Sequence, residues 1–140
     1  MELSIILVSA FLWLWFLGCT ISWRFGKVLL VEGTGFKHIE FVALILYSIG
    51  FLLFFLYRPI GQWVLTVELA LWLIVQFLCH EYYTIFGASE QKLRGYNQCF
   101  AGSLRLFPES DTRLVPDLYH IVLHLLLAAD LTLLICFIAS

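Results

Sequence analysis

Charge is scarce in this chain. Only 13% of its 140 residues are Asp, Glu, Lys or Arg, and the formal net charge is −2. A soluble domain carries about 25% charged residues and about 45–50% apolar ones. There is no basic run, so nothing points to nucleic acid. The four cysteines, Cys19, Cys79, Cys99 and Cys136, form no C-x-x-C pair. That scatter excludes a thiol-redox motif, a disulfide framework and a Cys-only zinc site. Also missing are H-E-x-x-H, a serine nucleophile elbow and a Gly-rich nucleotide loop, so no constellation marks an enzyme.

Apolar sequence is what the chain has in excess, at 62% of its residues. A chain this short cannot bury that much against itself. The excess is gathered into four runs, Leu3–Trp23, Ile39–Tyr57, Trp63–Phe86 and Pro116–Ala139. Each approaches the roughly 20 residues that cross a bilayer as a helix. The expected fold is an all-α, polytopic integral membrane protein. Residues 1–140 would form a single four-helix transmembrane domain, with lipid as its solvent. The first run is not expected to be a cleaved signal peptide: it is too long, and Glu2 stands where a basic n-region would be.

The basic residues divide cleanly between the connections. Arg24, Lys27 and Lys37 follow the first run; Lys92, Arg94, Arg105 and Arg113 follow the third. The second connection holds only Arg58, and neither end of the chain holds any. Because Lys and Arg favour the cytoplasm, loops 24–38 and 87–115 belong inside and both termini outside. The compartment would be a bacterial plasma membrane or an organellar inner membrane. Tyr57–Trp63, with Pro59 and Gly61 as helix breakers, reads as a tight outer turn. Gly33-Thr34-Gly35 should bend the first inner loop, and Pro116 is placed to open the fourth span.

The second inner loop holds an amphipathic pattern. Ser89 to Lys92 resembles a helix start, and Leu93, Tyr96, Phe100 and Leu104 then recur near helical spacing. A short helix on the membrane surface is expected, with Leu93, Tyr96 and Phe100 as a candidate docking surface for a partner. Trp13, Trp15 and Trp23 make the first span bulky, suited to lipid or to a partner.

Ionisable groups inside spans cost about 2.5–3.5 kcal/mol each on insertion scales, and they mark function. In the third span, Glu68, Trp72, Gln76, Cys79 and Tyr83 share one side at 100° per residue, with His80 at its edge. In the fourth, Asp117, His120 and His124 lie in a narrow arc, and Asp130 is rotated away. With this topology all four histidines, His38 included, lie in the cytoplasmic half, and Glu68 and Asp130 lie in the outer half. No Lys or Arg within a span neutralises those two carboxyls.

Three functions follow from this pattern. The first is proton or cation movement, with Glu68 and Asp130 as outer carboxyls, Gln76 between, and His80, His120 and His124 as inner relay. The second is an accessory or assembly subunit of a larger membrane complex. Its polar groups would join helices or subunits. The third is a divalent-metal or haem b site drawn from His80, Glu81, Asp117, His120 and His124. A bundle this small barely encloses a path alone, so a homo-oligomer or a complex with other membrane subunits is expected.

Overall fold

The computed structural model describes residues 1–140. Helix α1 is Glu2–Phe16, tightened by a 3₁₀ turn at Leu17–Cys19. Strands β1 (Trp23–Phe25) and β2 (Val28–Val31) follow, then α2 (Ile39–Leu56). Helix α3 runs over Arg58–Phe86 with one π turn, Phe77–Glu81. Helix α4 (Glu90–Cys99) and helix α5 (Leu118–Ala139) complete the chain. Four of these helices are long and apolar enough to cross a membrane: α1 with its 3₁₀ turn, α2, α3 and α5.

The four long helices pack in a ring, α1 on α2, α2 on α3, α3 on α5 and α5 on α1. The core repeats in steps of three, four or seven along each helix: Ile5, Leu12 and Phe16 on α1; Leu65 and Leu69 on α3; Leu123, Leu127 and Leu134 on α5. This is the seam spacing of an antiparallel bundle. The outward faces are apolar as well, with Leu7, Phe11, Leu52, Phe55, Leu71 and Leu125 exposed. Helices that are hydrophobic all round need an apolar surrounding on both sides.

The connections depart from expectation in several places. The all-α fold acquires a small antiparallel hairpin, β1–β2, in the first loop. Gly26, at φ +61°, opens its two-residue turn, a position where glycine is favoured. The first helical segment therefore ends at Cys19, and Trp23 belongs to β1. Pro59 and Gly61 do not break the chain: α3 starts at Arg58 and the turn is Tyr57 alone. Proline is tolerated in a first turn because its missing N–H has no helical partner there. Gly61 lets α2 and α3 touch, since a Cβ on it would stand 2.1 Å from the Phe54 backbone nitrogen. Pro116 lies one residue before the cap, and Asp117 caps α5.

Helix α4 forms where expected, capped by Ser89 Oγ, which accepts from the Lys92 N–H at 3.3 Å. It ends before Phe100, so Leu104 is outside it; there the Leu104 N–H donates to the Leu29 carbonyl and ties the second loop to β2. Trp13 and Trp15 are used within the chain. The Trp13 indole donates to Ser48 Oγ on α2 at 2.7 Å, and that of Trp15 donates to the Tyr119 carbonyl at 3.1 Å. Tyr119 returns a bond to the Trp15 carbonyl at 2.6 Å, with the two rings stacked 5.4 Å apart.

Candidate functional site

Most of the polar residues singled out in the long helices occupy three neighbourhoods, with His124 and Glu81 apart from them. The richest lies at the end of the bundle that carries both long loops. It depends on the π turn. A regular helix keeps Cys79 on the face of Glu68, Trp72 and Gln76 and turns His80 to its edge; the wider turn at Phe77–Glu81 instead carries the four-residue step on to His80. His80 is buried and Cys79 exposed, reversing the expected order on this face. Single π turns inside α-helices recur at functional sites.

Against His80 stands His120, its ring stacked at 4.4 Å and 28°. His120 is held from its own helix start. Asp117 caps α5 by accepting the His120 backbone N–H at 2.9 Å, and the same oxygen, Oδ1, meets His120 Nδ1 at 2.8 Å. Asp117 is 0% exposed. Its second oxygen faces Ser103 Oγ at 3.4 Å, and its backbone N–H donates to Tyr96 Oη at 3.3 Å. Burial pushes the Tyr96 phenol well above its ordinary range, which keeps it neutral. Phe100 and Tyr119 stand edge-on to the His120 ring at 4.9 and 5.3 Å.

The rings of His80, Tyr96, Phe100 and His120 form one wall of a cavity of about 220 Å³. Cys19 and Cys79 also line it, and charge and hydroxyl come from Glu32 and Thr34 in the first loop, Glu40 at the start of α2 and Lys92 on α4. Thr34 Oγ1 donates to the Cys19 carbonyl at 2.9 Å and lies 3.3 Å from Glu40. A buried carboxylate bonded to one imidazole nitrogen orients the ring and supports a proton on it. The other nitrogen is then left to exchange protons. His80 Nδ1 has no hydrogen-bond partner.

His124 does not join this pair. It faces Glu81 at 3.0 Å, outside hydrogen-bond geometry, and both line a separate cavity of about 500 Å³ with Arg113. His38 is exposed at the start of α2. The expected inner cluster of four histidines is therefore one stacked pair and two separate residues.

The second neighbourhood is a closed clamp in the bundle interior. Asp130 is 0% exposed; the Ser9 hydroxyl reaches its two oxygens at 2.9 and 2.8 Å, and the Tyr47 hydroxyl donates to it at 2.9 Å. It joins α1, α2 and α5. Ten residues of helix, a rise of about 15 Å, separate Asp130 from His120. Buried Leu123 and Leu127 lie between them in sequence on α5.

The third neighbourhood belongs to Glu68, which is turned toward α2 and not toward Asp130. A Cβ on Gly50 would meet Glu68 Oε2 at 2.1 Å, so the glycine makes room for the carboxyl. Gln76 is buried on the same face of α3, between Glu68 and His80.

Other site residues expected from the sequence fare differently. No three His, Cys, Asp or Glu side chains converge as one ion would require. Haem does not fit either. Axial imidazoles present their ring edges to iron from opposite sides, whereas His80 and His120 meet face to face. Leu93 and Tyr96 are 6% and 7% exposed and pack with Leu114, Tyr83, Ala88 and Phe100 of the same chain. They anchor α4 to its own bundle, so they do not form a free docking surface. Glu32, Thr34 and Lys92 were not expected in the site, because they arrive on the hairpin connection and on α4.

No family model, curated protein or solved structure matches the chain. Its class therefore rests on the fold: a mostly helical bundle with four helices of membrane-crossing length and polarity.

Proposed function

We propose that this is an integral membrane protein that exchanges protons at the cytoplasmic boundary, as part of moving protons or a small cation. The seven basic residues on the two long loops support placing that end inside. One observation carries the reading: His120, bonded at 2.8 Å to the buried Asp117, lines a polar cavity beside the stacked His80. His120 is the acid–base group, Asp117 its positioning partner, and the stacked His80 walls the cavity beside it. Glu32, Glu40 and Lys92 at the cavity give an entering cation or proton carrier its polar contacts.

The test uses protein in liposomes loaded with a pH-sensitive dye. An imposed pH step is followed in wild type, His120→Gln, Asp117→Asn and His38→Gln. Dissipation falls at least about tenfold in the first two variants, the scale on which general acid–base groups act, and stays at the wild-type level in His38→Gln. Equal rates in all four proteins would end the proposal.

A second reading is favoured by the apolar layer at Leu123 and Leu127. Here the same His120 exchanges a proton with a small polar molecule bound in the cavity, and no charge crosses the membrane. Wild-type liposomes would then hold their pH gradient as empty ones do.

A further inference from the structure

Glu68 is not part of the proton-exchange reading, yet it stands in a cavity lined almost wholly by apolar side chains. That cavity, about 400 Å³, lies against α2 and α3. Twelve of its 13 lining residues are hydrophobic, and Glu68 is the exception. Three features distinguish it from an ordinary groove between helices.

First, the carboxyl has no partner. Oε2 is sealed without a hydrogen bond, and no Lys or Arg occurs between Pro59 and Phe86 or between Ile39 and Tyr57. Arg58, the nearest basic residue in sequence, is paired with Glu2. Secondly, the side chain is given room: Gly50 on α2 removes the Cβ that would collide with it. Thirdly, three aromatic rings share the lining. Phe16 stands 5.3 Å from Trp72 and 6.4 Å from Tyr47.

We propose that this cavity binds a lipophilic ammonium ion, an apolar body bearing one positive charge. The apolar lining takes the body, the Glu68 carboxylate neutralises the charge, and the aromatic faces attract it further, as cations are drawn to ring faces. Charge complementarity selects this occupant: an acyl chain fills the groove but leaves the carboxylate unanswered, and a desolvated lone carboxylate is costly.

Full-length protein in phosphatidylcholine nanodiscs is titrated with dodecyltrimethylammonium, dodecylamine or dodecanol, and tryptophan fluorescence is read. Both cations give a saturable change at a concentration at least about tenfold below dodecanol, a preference worth about 1.4 kcal/mol. Trp72→Phe removes most of that signal. Glu68→Gln brings the cations level with the alcohol. Leu46→Trp, which fills the cavity from α2 and leaves the carboxyl in place, abolishes saturation. Equal response to alcohol and cation in wild type overturns the proposal, as does an undiminished cation preference in either Glu68→Gln or Leu46→Trp.

Discussion

Tyr47→Phe removes one oxygen atom from the middle of the bundle and leaves the ring in place. That oxygen donates to Asp130 at 2.9 Å, and Asp130 is 0% exposed. A buried acceptor deprived of a donor costs about 1–3 kcal/mol. In membrane bundles, interhelical bonds measured by double-mutant cycles average about 0.6 kcal/mol and reach about 1.7. The expected loss is therefore about 1–2 kcal/mol for Tyr47→Phe and the same for Ser9→Ala. Both hydroxyls serve one carboxyl, so the double variant departs from additivity by at least about 0.5 kcal/mol. Equilibrium unfolding in mixed micelles, followed by near-ultraviolet circular dichroism, reads all three. Tyr57→Phe, an exposed tyrosine, is the control and stays within about 0.5 kcal/mol of wild type. Single losses indistinguishable from the control, or strictly additive ones, would refute the clamp.

The other predictions concern the cap, the helix contact and the fold of the second loop. Asp117→Ala loses both the cap and the imidazole bond, about 1 and about 1.5–3 kcal/mol. Asp117→Asn keeps a good cap, so it is the more stable of the two by thermal melting and still loses proton exchange. Gly61→Leu drives a side chain into the Phe54 backbone, and overpacking of this kind costs about 1–3 kcal/mol; chemical denaturation should show it. Leu93→Ala opens a cavity against Leu114 and Tyr83, costing about 2–4 kcal/mol, and proteolysis of the 87–115 loop accelerates accordingly.

The long helices were legible because apolar run length is a direct reading of what lipid demands. The start of α4 was legible too, since Ser89 is a capping residue with a polar turn behind it. Three features escaped for physical reasons. A π turn has no simple residue signature, so a strict 100° wheel put Cys79 inside and His80 at the edge. Pro59 and Gly61 are breakers in mid-helix but harmless in a first turn, and only the geometry of the chain says which applies. The cavity draws Glu32 and Lys92 from segments some 60 residues apart. Spacing along one helix cannot foresee such a meeting. Sequence position was partly misleading as well: Asp130 is closed in by Ser9 and Tyr47, whereas Glu68, expected beside it in the outer half, turns to Gly50 on α2 and has no hydrogen-bond partner.

The most direct test of the acid–base site is nitrogen-15 NMR of the histidine rings in the reconstituted protein near neutral pH. The account predicts one imidazole in the Nδ1–H form, with its Nε2 free to accept, and loss of that signal in Asp117→Asn. A His120 ring found in the Nε2–H form, or unchanged in Asp117→Asn, would contradict it.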